Sequence, residues 1–298
     1  MDNLKILESI DKAIQELKSS SILTETYPDC YTFGNANEKL LSIVIHGNET
    51  IGLFILDELL KSFKEQPFSF LIGNRKAVQE NKRFFESDLN RSFMTEKKET
   101  IEQLQAKNIE VFSKDFKYIL DIHQTTCDSE TPFCLVRDSE KSNILYKNLK
   151  ETLLFPVIYL KNQKLSKDGA TFSEFASNKN IGFITLELSK AGYSPEMKEL
   201  GLKIINQFLD IQYFKTTPKK EFEVFTVRKS IEKIQQDDHL VQGLKNFTMS
   251  KKNSVIAIQN STKISLEEDS FILFPKYNQY REFSNELCKL MIKELITF

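Results

Sequence analysis

Residues 41–54 read LSIVIHGNETIGLF, and they determine the fold class that the sequence predicts. The first part, 41–45, is a short apolar and β-branched run, which is typical of a strand buried on both faces. A polar tetrapeptide, His46-Gly-Asn-Glu49, follows directly. Apolar residues then return at helical spacing. The stretch therefore predicts a buried strand, a polar turn and a helix in direct succession.

The same alternation continues along the first two thirds of the chain. It predicts an α/β fold, in which a mostly parallel mixed sheet is flanked by helices. Further strands are predicted at 68–72, 118–122, 132–136, 155–159 and 181–186, and helices at 4–17, 97–113, 139–152, 171–178 and 195–213.

The pattern changes near residues 216–220, and strand-like runs dominate beyond that point. They occur at 221–227, 254–258 and 271–274, and a final helix is expected at 282–295. We therefore predict a catalytic α/β domain over 1–214 and a smaller, β-rich C-terminal domain over 215–298.

Charge and composition exclude several classes of partner. The chain of 298 residues has 41 Lys+Arg against 42 Asp+Glu, so it lacks the basic surface expected of a nucleic-acid-binding protein. Its N-terminus has no apolar signal-peptide core, and no run approaches the roughly 18 apolar residues of a membrane span. The 4 cysteines form no CxxC pair and are expected to be reduced. We expect a cytoplasmic protein with neither nucleic acid nor membrane as a partner; a homo-oligomer is compatible with the sequence.

Two of the 3 histidines follow predicted strands of the same kind. Ligand-binding residues in open α/β sheets lie beyond the carboxyl ends of strands, where His46 and His123 are expected. Glu49 follows His46 by three residues, and Gly47 would allow a sharp turn between them. Two histidines, one glutamate and an open water position form a catalytic zinc shell. The alternative is a pair of hydrogen-bonded core histidines; His239, in a polar stretch, is expected to be solvated.

Two acidic residues at strand ends are candidates for chemistry. Glu187 closes an apolar strand, where a carboxylate costs desolvation unless it faces a site or a partner. It is either a general base for hydrolysis or a salt-bridged strand-end glutamate. Asp121 shares a strand face with His123 by period-two alternation and could orient that histidine. The alternative is that it caps the local backbone or packs against a loop.

A cationic segment, 74–91, follows the second predicted strand. Lys76 and Lys82 are expected to be solvated. Asn90 and Arg91 differ, because an amide together with a guanidinium fork is suited to binding a carboxylate. A substrate that carries carboxylates is therefore expected.

Together these motifs resemble the succinylglutamate desuccinylase/aspartoacylase family, which is related to the zinc carboxypeptidases. Five motifs match in order and spacing: His46-Gly-Asn-Glu49; Asn74-x-x-Ala77 with Arg83; Asp88-Leu-Asn-Arg91; Asp121-Ile-His123; and Thr185-Leu-Glu187-Leu.

The resemblance implies a zinc-carboxypeptidase-like catalytic domain and a β-rich C-terminal domain that narrows the active site. It implies one zinc ion, bound by His46, Glu49 and His123. Glu187 corresponds to the catalytic glutamate of the family.

The resemblance also assigns residues to the substrate. Arg83 corresponds to the arginine that polarises the scissile carbonyl and stabilises the oxyanion. Asn90 and Arg91 correspond to binders of a substrate carboxylate. Tyr280 corresponds to a tyrosine that aspartoacylase contributes from its C-terminal domain.

Within the family, the stretch from Thr185 to Ala191 favours the desuccinylase over aspartoacylase, which has an arginine where this chain has Ser177. Ser189 stands where the desuccinylase pattern has glycine, and Gly192-Tyr193 stands where it has arginine and proline. The expected reaction is hydrolysis of N2-succinyl-L-glutamate, a small-molecule N-acyl amino acid, in arginine catabolism. Alternatives are a deacylase of another N-acyl amino acid, a metallocarboxypeptidase, or a binding protein without catalysis.

Overall fold

A computed structural model describes residues 2–34, 38–62, 68–125, 127, 129–161, 169–211, 214, 220–277 and 286–297. Its helices are α1 (Asn3–Ser19), α2 (Ile51–Lys61), α3 (Arg75–Gln79), α4 (Ile101–Ser113), α5 (Glu140–Leu149), α6 (Phe172–Asn178) and α7 (Pro195–Asp210). Its strands are β1 (Leu23–Tyr27), β2 (Cys30–Phe33), β3 (Lys39–Ile43), β4 (Ser69–Ile72), β5 (Tyr118–Thr125), β6 (Phe133–Arg137), β7 (Val157–Leu160), β8 (Gly182–Lys190), β9 (Glu221–Glu232), β10 (His239–Leu240), β11 (Met249–Ser250), β12 (Val255–Gln259), β13 (Thr262–Ser265), β14 (Ser270–Leu273) and β15 (Glu286–Thr297).

The described strands form a large mixed sheet in the order β1-β2-β4-β3-β5-β8-β6-β7-β9-β15-β14-β11. Its centre is parallel, since β4, β3, β5 and β8 run in one direction. Strand β6 is antiparallel to β8 and parallel to β7. The predicted α/β class with a mostly parallel mixed sheet is confirmed. The carboxyl ends of β3, β5 and β8 lie side by side, which is where the sequence predicted the site.

Helices cover both faces of the central sheet, as the continuous apolar runs of its strands require. Leu41 and Leu120 pack in one cluster with buried residues of α1, α2 and α7. Their strand neighbours Leu40 and Ile119 pack on the opposite face with residues of α4 and α6. No helix in the described part of the chain is both long and apolar enough to cross a membrane.

The C-terminal region extends this sheet. Strand β9 pairs in parallel with β7, and β15 pairs with β9 from one end to the other. A smaller sheet, β10-β12-β13, lies beyond, so the region is β-rich as predicted. The predicted boundary at 215 falls among residues 215–219, outside the described residues. The sequence did not predict the β1–β2 hairpin, which adds an antiparallel edge beside β4.

The predicted helix at 282–295 is wrong, because the described part of it, from Glu286 onward, is strand β15. The apolar residues of this segment fit the spacing of a helix as well as the period-two alternation of a strand. Leu290 and Met291 are adjacent, yet they are buried in two different apolar clusters. Strand pairing with β9 and β14 and burial on both faces therefore override the local helical pattern.

Gly47 is required for close packing, and not for the sharp turn that the sequence suggested. Its backbone is not among the residues with positive φ. A Cβ atom at Gly47 would lie 2.4 Å from the carbonyl carbon of Ala77 and 2.5 Å from the backbone nitrogen of Val78. The turn after β3 and helix α3 can therefore approach closely only without a side chain at position 47.

We expect Gly47→Ala to lower the free energy of unfolding by about 1–3 kcal/mol, because backbone atoms must move to admit the methyl group. Urea denaturation followed by circular dichroism measures this change. An unchanged midpoint would show that the packing between residues 47 and 77 can relax without cost.

Candidate active site

A cleft of about 800 Å³, its open mouth included, lies at the carboxyl ends of β3, β5 and β8. The lining residues come from both the central sheet and the C-terminal region: His46, Glu49, Arg83, Asn90, Arg91, Asp121, His123, Gln124, Thr125, Leu135, Thr171, Ser173, Thr185, Glu187, Phe274, Lys276, Glu286 and Lys289.

A strained residue leads from β3 to His46. Buried Val44 has φ of 48°, which is unusual for a β-branched side chain. Such a conformation costs on the order of 1–3 kcal/mol and is found mainly at functional sites. Hydrogen bonds from the backbone N–H of Gly73 to Ile43 O and of Asn74 to Val44 O, both 2.9 Å, hold the turn in place.

Glu49 lies between the two predicted histidine ligands. Its Oε1 is 2.8 Å from His46 Nδ1, and its Oε2 is 2.9 Å from His123 Nδ1. Oε2 also accepts the backbone N–H of Gln124 at 3.0 Å. Burial opposes ionisation, but the two imidazoles outweigh it and hold the pKa of Glu49 well below its usual range.

His123 is oriented by Asp121, as the strand alternation suggested. His123 Nε2 lies 2.8 Å from Asp121 Oδ2 and donates to it, so Nδ1, 2.9 Å from Glu49 Oε2, is the ring nitrogen that faces the cluster. Although burial opposes it, Asp121 and Glu49 raise the pKa of His123 well above its usual value.

Gln124 joins the neighbouring elements to this centre. Its Oε1 accepts the backbone N–H of Ile51, the first residue of α2, at 2.9 Å. Its Nε2 donates to the carbonyls of Lys190, the last residue of β8, and of Gly192 beyond it. The sequence did not single out Gln124, because only the fold makes three segments converge on it.

The three side chains fit a divalent metal ion. One ligand atom each from His46, Glu49 and His123 lies within 4.8 Å of the others, and all three residues are buried. His46 Nδ1 makes no hydrogen bond to a described residue, although Glu49 Oε1 is close to it. This buried imidazole nitrogen faces a carboxylate oxygen without a hydrogen bond between them. The two atoms are therefore positioned to bind the same cation. Two imidazoles and one carboxylate are a donor set that Zn²⁺ prefers.

Arg83 lies against these ligands. Its NH1 donates to Glu49 Oε1 at 2.8 Å, and its NH2 lies 2.8 Å from His46 Nε2. Asp88 Oδ1 is 3.2 Å from the same histidine nitrogen. Burial opposes ionisation of Asp88, but His46 and Arg83 hold its pKa well below the usual range. The carboxylates of Glu49 and Asp88 therefore hold Arg83 at the edge of the cluster of candidate metal ligands.

A buried carboxylate that the sequence did not reveal holds the loop carrying Arg83 and Asp88. Glu102, in the first turn of α4, is completely buried. It accepts the backbone N–H groups of residues 85, 86 and 87 and the side-chain amide of Asn74. A glutamate in a first helical turn is common, so the sequence carries no signal for this role.

Asn90 and Arg91 both line the cleft. Asn90 Oδ1 accepts the backbone N–H of Phe172 at 3.0 Å, so the remaining group of its side chain is the NH₂ donor. Arg91 NH1 donates to the carbonyl of Asn90 at 2.6 Å. The two donors come from the short 3₁₀ turn Leu89–Arg91, which Asp88 caps through the N–H of Asn90.

Glu187 lies beside His123, its partner in the β5–β8 register. It is buried, and its Oε2 makes no hydrogen bond to any described residue. Burial raises the pKa of Glu187 to about 8. Glu187 has no salt-bridge partner among the described residues, which argues against the alternative of a salt-bridged strand-end glutamate. A carboxyl group of this kind can exchange protons near neutral pH.

Ser189, two residues after Glu187, has φ of 63°, in the left-handed region that favours glycine. This is the position where the desuccinylase pattern has glycine. Ser189 therefore adopts a backbone conformation that a glycine would adopt more easily.

Of the remaining predicted residues, His239 is exposed and its Nδ1 lies 2.8 Å from the carbonyl of Asp237. Tyr280 lies outside the described residues. No pattern in the sequence indicated Lys276, Glu286 and Lys289, which the C-terminal region contributes to the cleft.

The chain matches known proteins at the level of family and fold. Residues 36–212 match the family model of the succinylglutamate desuccinylase/aspartoacylase catalytic domain. A succinylglutamate desuccinylase from Pseudomonas syringae pv. tomato is 26% identical over 267 residues, 81% of this chain and 79% of the relative. One from Pseudomonas putida is 28% identical over 266 residues, 80% of this chain and 78% of the relative.

Solved structures agree in fold. The crystal structure of a succinylglutamate desuccinylase from Vibrio parahaemolyticus has a TM-score of 0.74 and 18% identity, covering 91% of this chain and 90% of that one. The family model covers more than half of the chain, and the motifs quoted above occupy one cleft. The chain therefore belongs to the succinylglutamate desuccinylase/aspartoacylase family.

Proposed function

We propose that the protein is a zinc-dependent hydrolase of linear amide bonds. Its reaction would convert N2-succinyl-L-glutamate to succinate and L-glutamate. This reaction is the last step of the succinyl route of arginine catabolism. The observation that carries the proposal is the position of Glu187, a buried carboxyl group beside the His46–Glu49–His123 cluster. The names of the Pseudomonas relatives support the choice of substrate.

Different residues of the chain have different roles in the hydrolysis. A zinc ion held by the cluster would supply a Lewis acid and an activated water. Glu187 takes a proton from the attacking water and delivers it to the departing nitrogen. Arg83 donates hydrogen bonds to the carbonyl oxygen as negative charge develops on it.

Asn90 and Arg91 bind a substrate carboxylate in this proposal, and Tyr280 contributes from outside the described residues. We retain the division into a catalytic domain over 1–214 and a C-terminal domain over 215–298 that caps the site. We also retain a cytoplasmic location and a small-molecule substrate.

We expect Arg91→Ala to raise KM for N2-succinyl-L-glutamate about 10–100-fold, because a hydrogen bond to a charged group contributes about 1.5–3 kcal/mol. The value of kcat should change much less, since the bond exists in both ground and transition states. Steady-state kinetics measures both. Arg228→Ala, at a half-exposed arginine outside the cleft, is the control. A fall in kcat at unchanged KM would place Arg91 in the transition state instead.

The reaction is tested in the presence of zinc with a panel of succinyl-, acetyl- and formyl-amino acids. One peptide with a free C-terminus is added to the panel as a carboxypeptidase substrate. Release of free amine is the readout. We expect succinyl-L-glutamate to give the highest kcat/KM. A preference for acetyl donors would indicate an aspartoacylase-like deacylase, and cleavage of the peptide alone would indicate a carboxypeptidase.

A further inference from the structure

Strand β8 contains a β-bulge immediately after Glu187. His123 of β5 pairs with Glu187, whereas Thr125, two residues further along β5, pairs with Lys190, three residues further along β8. Residues 188–189, the β8 bulge, therefore oppose a single residue of β5. Bulges are uncommon between parallel strands, and next to active sites they redirect a side chain.

The backbone of the β8 bulge has a conformation that its own residues do not favour. Ser189 has φ of 63°, and the left-handed region is unfavourable for a residue with a Cβ atom but not for glycine. Leu188 is completely buried in the apolar cluster that includes residues of α7, which fixes one face of the strand. Polar contacts must therefore hold the other face in place.

Gln124 connects the end of β8 to the proposed metal site. Its Nε2 donates to the carbonyls of Lys190 and Gly192, at 2.8 and 2.7 Å. Its Oε1 accepts the backbone N–H of Ile51 at 2.9 Å, and its own backbone N–H donates to Glu49 Oε2 at 3.0 Å. Gln124 is buried, so water does not compete for these hydrogen bonds. The residue therefore fixes the end of β8 relative to a candidate metal ligand.

Thr125 contacts the β8 bulge directly. Its hydroxyl group lies 2.6 Å from the carbonyl oxygen of Cys127 and 3.1 Å from that of Ser189, and donates to both. Its backbone carbonyl accepts the N–H of Ala191 at 2.9 Å. Thr125 is buried as well, and it thus binds β8 at the bulge and again just beyond the end of the strand.

The carboxyl group of Glu187 depends on this arrangement because its own contacts do not fix it. Glu187 Oε2 makes no hydrogen bond to a described residue, whereas the carboxylate of Glu49 is held by His123 and by the backbone of Gln124. The backbone of β8 must therefore determine where the Glu187 carboxyl group lies. A displacement of about 1 Å at a reacting group can lower a rate about 100-fold.

We propose that Gln124 and Thr125 are positioning residues, which hold the β8 bulge and thereby keep the carboxyl group of Glu187 beside the candidate metal ligands. The inference rests on the proposed function, in which Glu187 is the general base. It goes beyond that function because it assigns the geometry of the base to two side chains of the neighbouring strand. Neither side chain takes part in the proposed proton transfers.

The test uses the whole, zinc-loaded protein and N2-succinyl-L-glutamate. Gln124→Met removes the side-chain hydrogen bonds at nearly constant volume, and Thr125→Val removes only the hydroxyl group. Thr125→Ser retains the hydroxyl group and is the conservative variant. Gln207→Met is the matched control, because Gln207 is partly buried and donates to the carbonyl of Asn148, outside the cleft.

We expect Gln124→Met and Thr125→Val each to lower kcat about 10–100-fold, because Glu187 is displaced. KM should change less than about 3-fold, since substrate binding is retained. Zinc affinity, by competition with a chelating dye, should be unchanged, because the candidate ligands and the backbone N–H of residue 124 remain. Thr125→Ser should lose much less kcat than Thr125→Val, and Gln207→Met should leave kcat unchanged.

A second substitution shows whether these side chains act through the β8 bulge. Glycine adopts the left-handed conformation without the strain present at Ser189. Ser189→Gly should therefore recover about 3–10-fold of the kcat that Gln124→Met loses, because the relaxed bulge needs less support. In urea denaturation, the two substitutions should also be non-additive in the free energy of unfolding.

A nearly normal kcat in both Gln124→Met and Thr125→Val would overturn the inference. So would a rise in KM alone, a loss of zinc affinity parallel to that of kcat, or no recovery with Ser189→Gly. If Gln124→Met does not fold, by circular dichroism, Thr125→Val with and without Ser189→Gly is judged by the same criteria.

A failure of the proposed function is distinguishable from a failure of this inference. The unaltered protein would then release no L-glutamate, and the positioning role would fall with the function. The unfolding measurements on Gln124→Met and Ser189→Gly need no substrate, so they would still show whether residue 124 supports the β8 bulge.

Discussion

Glu187→Gln is expected to lower kcat about 10²–10⁴-fold, the usual contribution of general acid–base catalysis, while the protein keeps its metal. Glutamine preserves the size of the side chain but can neither take a proton from water nor return it to the departing nitrogen. Its amide also requires no ionisation in the buried environment that raises the pKa of Glu187 to about 8.

Two measurements separate this role from a structural one. Metal content, by atomic emission, should stay at the level of the unaltered protein, since Glu187 is not among the candidate ligands. Single-turnover kinetics should show that the chemical step has slowed. Glu267→Gln, at a highly exposed glutamate, is the control and should leave kcat unchanged. A variant at position 187 with a nearly normal rate would remove Glu187 from the mechanism.

Loss of a metal ligand is expected to have the second large effect. His123→Ala should weaken zinc binding by more than about 100-fold, because even residues that only orient a ligand contribute 10–100-fold. Activity at limiting zinc should fall in parallel. The same change leaves Glu49 and Asp121 without their shared imidazole, so the melting temperature should fall as well.

The chain offers a matched control for this substitution. His239 is exposed and lies in the C-terminal region, away from the cleft. His239→Ala should therefore leave both the zinc affinity, by competition with a chelating dye, and the activity unchanged. Equal zinc affinity for both alanine variants would contradict the assignment of His123 as a ligand.

The sequence predicted the centre of the site because strand ends are recognisable locally. An apolar run that stops at a histidine indicates that the carboxyl end of a parallel strand is near, although β5 continues to Thr125. Such ends converge in an open sheet. The structure brings His46 and His123 together for this reason, with ring centroids 5.1 Å apart. Asp121 could be predicted from strand alternation alone.

Residues that act through long-range contacts could not be predicted in this way. Glu102 holds the loop of Arg83 because α4 packs beside that loop, and Gln124 joins segments that are distant in sequence. Lys289 belongs to the cleft because β15 is a strand, whereas its sequence also fits a helix. Tertiary pairing decides between these two forms, and a single sequence does not contain that information.

Gly47 shows a different limit of prediction from the sequence. The sequence correctly marked the position, but the physical reason is the backbone of residues 77 and 78, which packs against it from another element. The conformation of Ser189 shows the converse, since a left-handed residue near the end of β8 was recognisable only through the glycine of the related pattern.

We expect one metal ion per chain, bound by His46, Glu49 and His123, to enable hydrolysis of N2-succinyl-L-glutamate. The most direct measurement removes metal with a chelator, returns zinc in steps, and follows release of L-glutamate. We expect no turnover without metal, and a rate that rises linearly with added zinc to a plateau at one zinc per chain. Full activity after chelation, or no release of L-glutamate at any zinc concentration, would contradict it.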